Sequence, residues 1–68
     1  MNSQHWNKDA LSAAIRLGER RAELEKVRPK VQAVEDRLFL IGLSINRLHA
    51  TGRLHNADQM LLKREEEE

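Results

Sequence analysis

Apolar residues recur along this chain at alternating steps of three and four, through Ala10, Ala13, Leu17, Leu24, Val27, Val31, Val34, Leu38, Ile41, Ile45 and Leu48. That spacing places them on one stripe of an α-helix and makes a heptad seam, which is stable only when a second helical stripe covers it. Arg20 interrupts the seam at one core position. A charge there costs stability unless it is paired or reaches water, and polar core residues of this kind set register or oligomeric state. No run shows the two-residue alternation of a strand, so the expected fold class is all-α.

Punctuation residues divide the pattern. Asn7 is placed to cap a first helix beginning near Lys8, and Asp9 adds a negative charge where the helix dipole favours one. Trp6 precedes the cap and Leu11 sits at the fourth helical position, the spacing of a hydrophobic staple; the alternative use of Trp6 is as a protein-binding anchor. Two segments of nearly equal length follow, about 8–28 and 30–50, with Pro29 between them. The heptad phase passes through Pro29 unchanged, so two arrangements fit: a single long helix kinked at Pro29, or a hairpin whose second helix carries Pro29 in its first turn. Thr51-Gly52 is a stop signal, because glycine takes the left-handed conformation that ends helices. Asn56 then reads as a new N-cap, with Gln59 placed to close a capping box, and predicts a short third helix over about 57–64 that presents Met60 and Leu61. Residues 65–68 are glutamates, which repel one another and oppose the dipole at a helix C-terminus; they are expected to fray, and truncation after Arg64 to leave the fold intact.

A single domain of 68 residues leaves a large share of its surface in water when folded alone, and the absence of cysteine removes disulfides as support. Oligomerisation is therefore expected, as a helical bundle or coiled coil, with Leu17, Leu24, Val27, Val31, Val34, Leu38, Ile41, Ile45 and Leu48 as the self-association seam. Residues 38–45 place apolar side chains on nearly every face of their helix, more than a two-stranded seam covers. Either the third helix folds back over Phe39, Leu40 or Leu43, or further chains close a bundle there. These three residues, with Trp6, are the candidate partner-binding set. Ala10, Ala14, Gly18 and Ala22 recur every four residues and predict a ridge along which another helix packs closely.

Charge raises a competing reading. Residues 16–30 hold Arg16, Arg20, Arg21, Lys26, Arg28 and Lys30, candidate phosphate contacts of a dimeric nucleic-acid-binding protein. Against it, Glu19, Glu23 and Glu25 are interleaved, the segment after Gly52 is acidic where a major-groove helix is basic, and no aromatic platform stacks bases. A solvated charged face accounts for the same residues. His5, His49 and His55 lack metal-ligand spacing and read as surface or helix-end residues. No phosphate loop or nucleophile-and-base set occurs, so no enzyme activity, cofactor or small-molecule substrate is expected. Residues 1–8 contain no signal-peptide apolar region, and the apolar stretch 38–45 falls far short of the ~20 residues that span a bilayer. The expected protein is cytoplasmic and works by self-association and by binding another protein, as adaptors, inhibitors and regulators do. A self-assembling structural or scaffolding subunit is the remaining class.

Overall fold

A computed structural model describes residues 6–67 as three helices, α1 (Lys8–Glu25), α2 (Gln32–Thr51) and α3 (Asn56–Glu66), with no strand among the described residues. The fold is all-α. Asn7 caps α1 as its sequence position predicts, its Oδ1 accepting the Asp9 N–H at 2.7 Å. α1 stops at Glu25, short of position 28; Pro29 has no N–H to give the Glu25 carbonyl, which accepts instead from the Arg28 and Lys30 side chains, and the Lys26 and Val27 N–H groups close the last turn on the Glu23 and Leu24 carbonyls. The chain reverses over residues 26–31. Pro29 lies in this loop, after a cis peptide bond, so it neither kinks one long helix nor occupies the first turn of the second. The hairpin arrangement is the observed one: the Asn7 N–H donates to the Gly52 carbonyl at 2.9 Å, setting the start of α1 beside the end of α2.

α2 ends where Thr51-Gly52 predicts. Gly52 adopts φ 69° and ψ 13°, and its N–H bonds to the Leu48 carbonyl at 2.7 Å. An L side chain in this left-handed conformation costs about 1–2 kcal/mol. Gly52→Ala should therefore lower the thermal midpoint by roughly 4–15 °C in a domain of this size, read by circular dichroism. The next helix starts one residue earlier than predicted. His55 is its N-cap and makes no side-chain capping bond, so the capping box expected of Asn56 and Gln59 does not form; the Gln59 N–H bonds to the His55 carbonyl. At its other end α3 continues past position 64 to Glu66. The expected fraying is thereby corrected for Glu65 and Glu66, which are helical, Glu65 being only 4% exposed; Glu68 lies outside the described residues.

The core is closed within one chain. Ala10, Ala13, Leu17 and Leu24 of α1 meet Ile41, Ile45 and Leu48 of α2, and Leu62 of α3 covers the third side. Five of the residues assigned to self-association, Leu17, Leu24, Ile41, Ile45 and Leu48, are thus buried by their own chain, with Val34 and Leu38 packed against them. Val27 and Val31 are 39% and 52% exposed because they fall in or beside the reversal, where the helical stripe no longer exists. Close approach of α1 uses Ala10 and Ala13, both fully buried. The predicted ridge is a contact line only in its first half: Ala10 is buried and Ala14 packs against the core, whereas Ala22 is exposed and a side chain at Gly18 would meet nothing within 4 Å. Ser44 meets Asp58 and Arg37 meets Glu65, which runs α3 antiparallel to α2.

Candidate protein-binding face

The side of α2 turned away from Ile41, Ile45 and Leu48 carries Phe39, Leu40 and Leu43, which are 66%, 42% and 45% exposed; Met60 on α3 is 65% exposed. The third helix therefore does not fold over Phe39, Leu40 and Leu43, because its one fully inserted leucine, Leu62, is spent on the core. Between α2 and α3 runs a groove of about 360 Å³, walled by Leu40, Leu43, Met60 and Leu61 and edged by Arg47 and Arg64. Its polar members are Ser44 and Asp58. The Ser44 hydroxyl donates to Asp58 Oδ1 at 2.7 Å, and Arg47 Nη2 approaches the same oxygen at 3.2 Å. Asp58 is 1% exposed, and its Oδ2 accepts no hydrogen bond. The sequence showed Asp58 only as an acidic residue of a first helical turn; its buried pairing with Ser44 has no local signal.

Trp6, the fourth candidate for partner binding, is half-buried against the core. Its ring meets that of His49 edge-on, with centroids 5.1 Å apart and planes at 81°, while Leu11 stays 49% exposed. Trp6 thus ties the start of α1 to the end of α2 and stands apart from Phe39, Leu40 and Leu43. His55 caps α3 and approaches Thr51 Oγ1 at 3.2 Å, whereas His5 lies outside the described residues.

The basic residues of 16–30 do not form one stripe. Arg16 pairs with Glu66, and Arg20 donates to Glu65 and Glu23, each at 3.0 Å. Arg28 donates to the Glu25 and Val27 carbonyls, and Lys30 Nζ to the Glu25 carbonyl. Arg21 and Lys26 are left exposed. The interruption of the seam at Arg20 is explained by this arrangement: its guanidinium and that of Arg37 converge on Glu65, Arg37 donating at 2.8 and 3.1 Å. The Arg37 hydrogen bonds, acting against burial and helped by Arg20, hold the Glu65 carboxyl below its ordinary range. Arg16 does the same for Glu66, and both Arg16 and Arg20 are raised by their glutamates.

A second cleft, between α1 and α3, has charged walls that include Asp9, Arg16 and Lys63 and is bridged by the Arg16–Glu66 pair. Among the described residues no group of three or more His, Cys, Asp or Glu side chains is placed to hold a metal ion, and no helix is long and apolar enough to cross a membrane. Comparison with protein-family models, with curated proteins and with solved structures finds no match. The chemistry that the α2–α3 face offers is association: apolar side chains on a helical scaffold, with cations at their edge.

Proposed function

We propose that this chain is a small non-enzymatic interaction protein, of the adaptor, inhibitor or regulator type, that works by presenting the α2–α3 face to another protein chain. The observation that carries this reading is the exposure of Phe39, Leu40, Leu43 and Met60 on one side of the molecule, although the chain closes a core of its own without them. Full burial of one such side chain is worth roughly 1.5–3 kcal/mol, so four that are about half exposed leave roughly 3–6 kcal/mol of burial to an incoming chain. An amphipathic helix laid in a groove of this kind anchors apolar residues at i, i+3 or i+4, and i+7, and the two arginines at the edge favour acidic neighbours. Nucleic-acid binding has less support, since Arg16, Arg20, Arg28 and Lys30 already serve groups of their own chain.

Capture of partners from a lysate by immobilised protein tests the proposal. Wild type should retain a protein that survives nuclease treatment, and Leu43→Asp, which keeps the core intact, should lose at least about tenfold of it. Retention that disappears with nuclease, or that is the same for wild type and Leu43→Asp, contradicts it.

A further inference from the structure

The outer side of α2 carries a second heptad stripe, distinct from the seam that builds the core. Ala33, Asp36, Leu40, Leu43, Arg47 and Ala50 follow one another at steps of three, four, three, four and three, and all six are exposed. The stripe is self-complementary about the midpoint between Ile41 and Gly42. Turned end for end against a copy of itself, it sets Leu40 against the partner copy's Leu43, Asp36 against the partner copy's Arg47, and Ala33 against the partner copy's Ala50. Each contact occurs twice.

From this we propose that the occupant of the α2–α3 face is a second copy of the same chain, in an isologous dimer with antiparallel α2 helices; the inference rests on the proposed function and names its partner. Charge selects the arrangement. Antiparallel pairing closes two Asp36–Arg47 ion pairs, at the two ends of a contact about 16 Å long, whereas parallel pairing would oppose Asp36 to Asp36 and Arg47 to Arg47. Both groups have capacity for the contact. Asp36 Oδ1 accepts one hydrogen bond, from Gln32 Nε2 at 2.8 Å, and Arg47 uses Nη2 on Asp58, which leaves further donors on its guanidinium. The small residues Ala33 and Ala50 let the helix ends approach closely. Met60 and Leu61 extend the apolar contact on the α3 side, and Phe39 flanks it on the other.

Sedimentation of two charge variants, separately and mixed, tests the pairing. Asp36→Lys opposes lysine to Arg47 across the dimer, and Arg47→Glu opposes glutamate to Asp36. Each alone should lower association at least about tenfold in low salt. Their equimolar mixture should regain it, because in the heterodimer the introduced lysine of one variant faces the introduced glutamate of the other, and the remaining Arg47 faces the remaining Asp36. Arg47→Glu is first checked for helicity, since Arg47 also holds Asp58. If it does not fold, Asp36→Lys carries the test alone: it must weaken association in low salt and recover part of it in high salt, where the like-charge opposition is screened. Wild type that sediments as a monomer up to about 100 µM, or variants whose mixture associates no better than either alone, would overturn the dimer. A monomer that still captures a different protein, and loses it on Leu43→Asp, overturns this inference and leaves the proposed function standing. A wild type that neither self-associates nor captures another protein overturns both.

Discussion

Ile41→Asp abolishes the fold. Ile41 is fully buried at the centre of α2, in the cluster that joins it to Leu17 and Leu48, with no cation in that cluster to receive a carboxylate. Placing an unpaired acid there costs several kcal/mol through desolvation and lost packing, against a total stability of roughly 3–10 kcal/mol for a chain of this size. The expected result is loss of most helical circular dichroism and of any cooperative urea transition. Leu43→Asp, two residues away but on the outer face, adds the same charge and should keep both. Cooperative unfolding of Ile41→Asp near the wild-type midpoint would mean that the core has been assigned to the wrong side of α2.

Replacing Arg20 and Arg37 together with methionine strips Glu65 of its cations and should cost about 3–5 kcal/mol, the usual penalty for leaving one member of a buried ion pair alone. Either single replacement should cost much less, because the other arginine remains. Truncation after Arg64 is no longer expected to be silent. It removes Glu65, and that loss should cost about 1–2 kcal/mol, less than the double replacement because the arginines, each 26% exposed at the side chain, can turn to water. The same cluster gives a pH dependence. Glu65 has its pKa lowered in the folded state, so its contribution is complete above the ordinary carboxylate range and is lost as pH falls through the lowered value. Urea midpoints of wild type should therefore fall on going from about pH 7 to about pH 3, and Glu65→Gln should show a smaller fall. Equal midpoints for wild type and the double replacement would remove Glu65 from the account of stability.

The helical class, the cap at Asn7, the stop at Gly52 and the surplus of apolar residues around Phe39 were legible because each depends on residues within one or two turns of one another. Pro29 was ambiguous for a physical reason. Both arms of a helical hairpin need an apolar stripe, and here the six-residue reversal over 26–31 preserves the three-four phase, so periodicity alone cannot detect that the chain turns back. Val27 and Val31 were drawn into the seam by that coincidence. Self-association through the seam followed from the size of the chain. What periodicity could not show is that Leu62 closes the third side of the core from α3. Glu65 was hidden for the opposite reason: four consecutive glutamates look like a repelling tail, while the arginines that bind one of them lie 28 and 45 positions away. Ser44 and Asp58 meet in the same non-local way, 14 positions apart.

The central claim, that the α2–α3 face is the working surface, is tested most directly by photocrosslinking in cells. A photoreactive phenylalanine analogue is placed at the position of Phe39 in one version of the protein and at that of exposed Ala22 on α1 in another. The account predicts a discrete adduct to a protein chain, the same or a different one, from the Phe39 position and none from the Ala22 position. An adduct from Ala22 with none from Phe39 would contradict it.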